Sequence, residues 1–194
     1  MALPQTAPRF DGAAYLAWEA GQAGRNEYIA GEVFAMVGVR QSHNVATGNL
    51  YNHLRTALKG SPCRVFIESV KARIEAADCF FYPDIVVTCD ERDRATPEYV
   101  SHPVVVVEVL SESTAGYDRG NKIAAYRKSE SLREYVLVDI ASRRIEVFRR
   151  DAENHWVLHE FVGGESVVLN SLGLAVPVDT VLEDTDEPPA EASA

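Results

Sequence analysis

The sequence contains no long apolar run. Its longest apolar stretches, such as Val104 to Val107, are far shorter than the ~20 residues that a helix needs to cross a bilayer. The N-terminal residues MALPQTAPRF also lack a basic start followed by an apolar stretch, which is the pattern of a secretory signal. The sequence therefore predicts a protein without a membrane span, and a cytoplasmic location follows by default.

Cysteine is scarce as well. The three cysteines, Cys63, Cys79 and Cys89, include no CxxC pair. A disulfide framework usually shows as an even number of closely spaced cysteines, and a thiolate zinc site as CxxC pairs. We therefore expect neither, and we interpret the three residues as small buried hydrophobic side chains.

Positive charge is in deficit. The 19 Lys and Arg residues stand against 29 Asp and Glu residues, which gives a net charge of −10. Because Lys and Arg dominate attraction to a phosphate backbone, this balance opposes non-specific binding of nucleic acid. Part of the excess is local, since residues 183–194 contain five acids and no base and resemble a disordered tail in composition. We assign residues 1–182 to a single domain, the size that one hydrophobic core commonly serves.

Three segments have the pattern of helices. Asp11 fits the N-cap of a short first helix that ends near Gly21. A long helix is predicted from Ser42 to Lys59, where apolar residues recur at helical spacing. A third is predicted from roughly Gly116 to Ser129.

Strand patterns occupy much of the remaining chain. Residues 26–37 predict a hairpin with a tight turn at Ala30–Gly31. The continuous β-branched run Val104–Val109 is typical of a central strand that is covered on both faces. Other strands are predicted at Arg64–Glu68, Val70–Ile74, Phe80–Thr88 with an interruption at Pro83, Glu134–Asp139, Arg144–Phe148, His155–Val162 and Ser166–Leu169. This order predicts an α/β (α+β) protein.

Two acidic residues have unusual positions in the predicted strands. One follows Tyr82–Pro83 at an expected strand end, and the other lies inside a strand that is expected to be buried. Asp84 follows Tyr82–Pro83, and Glu108 lies inside the β-branched run. A carboxylate inside such a strand is costly to bury without a cation, a proton or a metal. Since adjacent strands lie ~4.8 Å apart, acids at matching heights can share one hard cation such as Mg²⁺. Asp84 and Glu108 therefore predict a metal site.

The third predicted helix has three polar residues on one face. Asp118, Lys122 and Tyr126 follow one another at i, i+4 and i+8, so they share a side of the helix. If that side faces the two acids, Lys122 can hold an attacking water or stabilise charge on a phosphate, while Asp118 and Tyr126 orient it. This arrangement indicates phosphoryl-transfer chemistry.

In this order the motifs resemble the Uma-type endonuclease family of the PD-(D/E)XK nuclease superfamily. The resemblance runs from about Glu27 to Asp139. The segments that carry it are Glu27-Tyr28-Ile29-Ala30-Gly31-Glu32, Ser42-His43, Tyr82-Pro83-Asp84, Val107-Glu108-Val109-Leu110-Ser111 with Ser113-Thr114, Asp118…Lys122…Tyr126 and Glu134-Tyr135-Val136-Leu137-Val138-Asp139. It implies a restriction-endonuclease-like mixed central sheet flanked by helices, with an N-terminal hairpin and additional C-terminal strands.

The resemblance also implies roles for single residues. Asp84 and Glu108 would bind Mg²⁺ or Mn²⁺, and Lys122 would be the catalytic lysine. The usual lysine of the superfamily lies two residues after the glutamate, and Leu110 occupies that position in this chain. Activity then depends on Lys122, from the following helix, reaching the acids.

Two more residues are implied as neighbours of the metal. Glu27 would be an additional acid from the N-terminal hairpin, and His43 would adjoin the site from the start of the long helix. Together these residues predict a Mg²⁺-dependent endonuclease that hydrolyses DNA phosphodiester bonds with a metal-activated water. RNA or a branched nucleic acid stays open as the substrate. A homodimer is expected by analogy, since two symmetric sites cut both strands of a duplex most simply.

Each residue also has an ordinary structural interpretation. Asp84 after a proline is a common turn residue, Glu108 could be paired with an Arg or Lys, and Lys122 could be a solvated helix charge. The corresponding alternative for function is a non-catalytic interaction protein that retains the nuclease fold and presents its acidic surface to partners. The basic residues around Arg143–Arg144 and Arg149–Arg150 could contact phosphates or pair with acids.

Histidine and tryptophan suggest little more. His155 and His159 have zinc-like spacing, but they lie in a predicted strand, where this spacing loses its helical geometry. We interpret them as surface histidines. Trp18 and Trp156 are interpreted as core or interface aromatics, because neither lies in a basic stretch.

Overall fold

The computed structural model describes residues 11–111 and 114–185. Its helices are α1 (Gly12–Glu19), α2 (Gln41–Ala57), α3 (Ala115–Tyr117), α4 (Ile123–Tyr126) and α5 (Val178–Val181), with short 3₁₀ turns at Glu75–Ala77 and Glu91–Arg94 and a π-helical turn at Asp118–Lys122. Its strands are β1 (Asn26–Ile29), β2 (Glu32–Ala35), β3 (Arg64–Ile67), β4 (Lys71–Ile74), β5 (Cys79–Phe81), β6 (Ile85–Thr88), β7 (Tyr99–Val100), β8 (Val105–Val109), β9 (Glu134–Asp139), β10 (Arg144–Arg150), β11 (Trp156–Val162), β12 (Ser166–Leu169) and β13 (Leu174–Pro177).

Some sequence predictions fall outside these residues. Ser113 of the family motif and residues 186–194 of the expected tail are not among the described residues. Residues 183–185 of that segment contact the domain: the Asn49 side chain donates to the Glu183 carbonyl, and Thr185 is buried. Within the described part of the chain, each helix is too short or too polar to cross a bilayer.

A six-stranded mixed sheet forms the centre of the fold. Its strand order is β11-β10-β9-β8-β6-β3. Strands β8 and β9 are parallel, and the other neighbours are antiparallel. The β-branched strand β8 lies inside this sheet and is buried along its whole length, as its sequence predicts.

The N-terminal hairpin belongs to a second sheet, with the order β2-β1-β5-β4-β7. The predicted turn at Ala30 and Gly31 is confirmed, and both residues have positive φ, as a two-residue hairpin turn requires. The hairpin is shorter than predicted, because β2 ends at Ala35, before Met36 and Val37. The break at Pro83 lies between β5 and β6, where the chain leaves this sheet and enters the six-stranded one.

Strand alternation separates the two faces of the six-stranded sheet. Val105, Val107 and Val109 join an aliphatic core with Leu50 and Leu54 of α2. On the other face of the strand, Val106 belongs to a core that is rich in aromatic residues. The members of that core include Phe81, Ile123, Tyr126, Tyr135 and Leu137. Glu108 shares the parity of Val106 and so faces this second core.

The third predicted helix is present but irregular. It begins at Ala115, ends at Tyr126 instead of Ser129, and contains a π-helical turn between Asp118 and Lys122. In a π turn the backbone bonds reach one residue further than in an α-helix, and such turns are frequent at functional sites. The turn contains two of the residues singled out in the sequence.

The prediction for the cysteines is wrong for two of them. Cys63 and Cys89 form a disulfide, whereas Cys79 is a buried free thiol. Cys63 precedes β3 and Cys89 follows β6, and the antiparallel register pairs Arg64 with Thr88. The two cysteines are therefore the next facing pair of the ladder. Their separation of 26 residues carries no signal in the sequence.

Candidate metal and phosphodiester site

Glu108 is the centre of a buried polar cluster. Its side chain leaves β8 toward the aromatic core and is 4% exposed. Its Oε1 accepts from the Lys122 ammonium at 2.9 Å and from the Tyr126 hydroxyl at 3.3 Å. The acid that the sequence places inside a β-branched strand is thus paired with the lysine and tyrosine of the following helix.

Lys122 is surrounded by carboxylates. Besides Glu108, its Nζ lies 3.2 Å from Oε1 of Glu27 and 3.8 Å from Oδ1 of Asp118. Glu27 comes from β1, and its Oε1 also accepts from the backbone N–H of Tyr82 at 3.0 Å. The lysine therefore connects the hairpin sheet, the π turn and the central strand.

Asp84 lies beside this cluster on the neighbouring strand. The register of β6 against β8 pairs Ile85 with Val107, so the next residues to face each other are Asp84 and Glu108. Oδ2 of Asp84 accepts from the backbone N–H of Val109 at 2.6 Å, and His43 Nε2 lies 3.2 Å from the same oxygen. The two acids thus meet at matching heights, and His43 holds the Asp84 carboxylate from the start of α2.

Burial and charge shift the pKa values of the cluster. Burial raises the pKa of the Glu108 carboxyl well above its usual value, against the effect of Lys122, and the negative charges of Asp118, Asp84 and Glu27 add to the rise. Burial lowers the pKa of Lys122, but its surrounding carboxylates outweigh this and raise it well above the usual value. Lys122 is therefore a permanent cation at neutral pH.

The pKa of His43 is also set by burial and by a neighbouring charge. Burial lowers its pKa, but the hydrogen bond and the charge of Asp84 outweigh burial and raise it. The Nδ1 atom of His43 is buried and has no hydrogen-bond partner within the described residues. The ring is therefore fixed through Nε2 alone.

These side chains line one cavity of about 670 Å³. Its floor is polar, and its wall includes the segment 36–40 between β2 and α2. The site residues on its lining are Glu27, His43, Asp84, Glu108, Asp118 and Lys122. Tyr126 lies behind Glu108 in the aromatic core and is not part of the lining.

One family model matches most of the sequence. The model of the Uma2 family, described as "putative restriction endonuclease", matches residues 13–179. The chain belongs to the Uma2 family. Two proteins of Synechocystis sp. are similar along most of their length. Uncharacterized protein slr1290 is 33% identical over 90% of this chain and 92% of its own, and uncharacterized protein sll1609 is 31% identical over 78% and 86%.

The Uma2 fold has a solved counterpart. The crystal structure of a putative nuclease belonging to DUF820, from Anabaena variabilis, matches with a TM-score of 0.68 over 83% of this chain and 91% of the other. At 17% identity this likeness concerns the fold. It confirms the restriction-endonuclease-like, mixed α and β architecture expected from the sequence.

The donor set of this Uma2 chain fits a divalent cation of the Mg²⁺ type. Glu27, Asp84, Glu108 and Asp118 contribute four carboxylates to one cavity, and the buried basic residues on its lining are Lys122 and His43. An excess of buried negative charge needs compensation, and Mg²⁺ prefers carboxylate oxygens together with waters and phosphate oxygens. Mg²⁺ sites commonly use one or two carboxylates, which the facing pair Asp84 and Glu108 would supply.

Another group of residues that could ligate a metal lies elsewhere on the chain. Among the described residues, the only three candidate ligands within 4.8 Å of one another are Asp151, Glu153 and His155. They occupy an exposed turn in which Asp151 accepts from the backbone N–H groups of Glu153 and His155. These bonds account for the cluster as a turn. His155 is exposed, and His159 is half-buried within β11.

The arginine clusters are mostly paired with acids or with carbonyl groups. Arg144 lies 2.9 Å from Glu160, and Arg149 lies 2.8 Å from Glu134. Arg150 donates to carbonyl groups of the residues that follow α4, those of Arg127 and Ser129 among them. Arg143 also lines the cavity.

Two parts of the cavity lining were not predicted from the sequence. Tyr117, the residue before Asp118, lines the cavity. Its position next to a predicted site residue was the only feature of the sequence that pointed to this role. The segment 36–40 was partly assigned to a strand, because Met36 and Val37 continue the apolar pattern of β2. Only their exposure in the folded chain reveals that they belong to the cavity wall.

Proposed function

We propose that this Uma2 protein is a Mg²⁺- or Mn²⁺-dependent endonuclease that hydrolyses DNA phosphodiester bonds. One observation carries the proposal: Lys122 reaches Glu108 at 2.9 Å from the following helix, on the floor of a cavity that Asp84 also lines. Lys122 would thereby take the role of the lysine that the superfamily usually has two residues after the glutamate. This chain has the uncharged Leu110 at that position. Family membership and the nuclease fold support the same activity.

Asp84 and Glu108 would hold the cation. When bound, such a cation lowers the pKa of a bound water and neutralises charge on the phosphate. Tyr126 donates to Oε1 of Glu108, and the backbone N–H of Val109 donates to Asp84. These bonds fix each carboxylate in one orientation before a substrate arrives, which reduces the reorganisation that the reaction requires.

Lys122 acts through its charge. Its raised pKa keeps the ammonium protonated, so it is a poor proton acceptor at neutral pH. It stabilises the negative charge that builds on the phosphoryl oxygens as the water attacks. Glu27 and Asp118 hold the ammonium in place, and His43 holds Asp84.

Plasmid nicking tests the proposal. Wild type should nick supercoiled plasmid with Mg²⁺ or Mn²⁺, and Asp84→Asn and Glu108→Gln should each reduce the rate by at least about 100-fold. Glu160→Gln, a surface acid that pairs only with Arg144 in the described structure, is the matched control and should retain full activity. Equal nicking by wild type and Asp84→Asn would contradict the assignment.

Metal binding separates this proposal from its rival. The net charge of −10 favours a non-catalytic interaction protein that retains the fold. Isothermal titration of Mn²⁺ should show one site that is lost in Glu108→Gln and retained in Glu160→Gln. Absence of any binding that depends on Glu108 would favour the interaction protein.

A further inference from the structure

One wall of the cavity is apolar and exposed to water. Met36, Val37 and Val39 are 38%, 71% and 55% exposed, and all three line the cavity. Seven large hydrophobic side chains are exposed within the described residues, and three of them lie on this five-residue segment. Exposed apolar residues that gather at the mouth of a pocket mark a surface that contacts a ligand.

The opposite side of the cavity is polar and deep. Glu108 and Lys122 are buried on its floor, and the Asp84 side chain is 15% exposed. A phosphate must therefore enter the cavity to reach the lysine. In a paired duplex the bases are stacked inside, and the outer surface is charged backbone. Such a surface offers only small apolar groups, such as thymine methyl groups in the major groove, to place against Val37 and Val39.

An unpaired strand has the complementary chemistry. Its bases can turn outward and pack on aromatic or apolar side chains, while its phosphates meet cations. The cavity volume of about 670 Å³ lies within the range of ~300–1,000 Å³ that is typical of sites for small ligands of nucleotide size. Three basic residues, Lys122, Arg40 and Arg143, line the same cavity beside its carboxylates.

We infer that this cavity binds an unpaired nucleotide of a single-stranded or branched nucleic acid. The base packs on the apolar wall of residues 36–39, and its phosphate lies toward Lys122. The inference rests on the proposed nuclease function and names its substrate class. It also accounts for the net charge, because contact with bases supplies affinity that an acidic protein does not obtain from long-range attraction.

Fluorescence anisotropy tests the inference without cleavage. The probes are a labelled single strand and the same strand in a fully paired duplex, with Ca²⁺ in place of Mg²⁺. Wild type should bind the single strand at least about fivefold more tightly than the duplex, the size expected for one base contact. The double variant Val37→Ser/Val39→Ser should lose this preference.

The matched control is Val157→Ser/Val162→Ser on β11. These two valines are also exposed and lie outside the lining of the cavity, so their variant should keep the preference. Equal affinity for the two probes, no binding of either, or an unchanged preference in the variant at residues 37 and 39 would overturn the inference.

Cleavage distinguishes this inference from the proposed function. With Mn²⁺, a forked substrate should be cut in or next to its unpaired arm. Binding of the single strand without any cleavage would sink the nuclease assignment and leave the binding site standing. Cleavage of paired and unpaired DNA at equal rates would keep the nuclease and overturn the preference for unpaired strands.

Discussion

The two faces of the six-stranded sheet are built from different chemistry. On one face, alternate valines of β8 pack on α2 in a core of aliphatic side chains. On the other, the same strand presents Glu108 to an aromatic core, with Lys122, Asp118 and Glu27 buried around it. Strand β8 therefore contributes side chains to both faces, because successive residues of a strand point to opposite sides of the sheet.

The aliphatic face and the polar face contribute differently to stability and to function. The aliphatic face gains free energy in proportion to the apolar area that it removes from water. The polar face must offset the desolvation of several charges, and an ion pair in such a place contributes little net stability. We therefore expect substitutions on the aliphatic face to change stability alone, and substitutions on the polar face to change charge balance and function together.

The largest effect is expected for Lys122→Ala. Removal of the ammonium leaves Glu108, Glu27 and Asp118 without their shared cation, and breaking a buried pair in this way costs about 3–5 kcal/mol of unfolding free energy. Burial already raises the pKa values of the Glu108 and Asp118 carboxyls above their usual values, and loss of Lys122, whose charge lowers both, raises them further. The destabilisation should therefore grow as pH rises from 5 to 8 and shrink as pH falls.

Urea unfolding at several pH values measures this loss. Lys128→Ala is the matched control, because Lys128 is exposed and has no ion pair among the described residues. It should change stability by less than about 0.5 kcal/mol. A loss for Lys122→Ala that does not depend on pH would point to lost packing and contradict the charge argument.

On the aliphatic face, Leu54→Ala should cost about 2–5 kcal/mol, because Leu54 is fully buried and leaves a cavity in the core. Metal affinity per folded molecule should stay as in wild type, measured by titration at a temperature where the variant is folded. Thr56→Ala, an exposed position of the same helix, is the control. A fall in metal affinity for Leu54→Ala would show that the two faces are coupled.

The smallest effect concerns the one free thiol that lies in the core of the polar face. Burial raises the pKa of Cys79 to about 11, so at pH 8 only a minor fraction is the reactive thiolate. Alkylation should therefore be slow at pH 8 and speed up as pH rises toward 11. In denaturant, unreduced protein should react at one thiol and reduced protein at three. Two or more reactive thiols in the unreduced chain would contradict the Cys63–Cys89 bridge.

The site was predictable in part because its residues occupy regular elements. Glu108 in a β-branched strand and Asp118, Lys122 and Tyr126 at helical spacing could be recognised from the chain alone, and the structure brings all four together. The pairing of Asp84 with Glu108 depends on a register that no local pattern encodes. The π turn likewise has no signature in these residues.

Contacts between distant segments were harder to foresee. The disulfide requires that Cys63 and Cys89 meet across two paired strands, and the cavity wall requires that Met36 and Val37 turn away from their hairpin. In both cases the local sequence fits a simpler interpretation, a buried cysteine or a longer strand. The free energy that decides between them comes from packing elsewhere in the fold.

By itself the sequence determined the hairpin, the long helix, the central strand and the family, because these depend on turn residues, apolar periodicity and ordered motifs. Only the tertiary structure decided that Lys122 reaches Glu108, that Asp84 faces Glu108, and that an apolar wall completes the cavity. The physical reason is distance along the chain. Periodicity acts over a few residues, whereas a buried charge cluster is assembled by strand register and by packing between sheets.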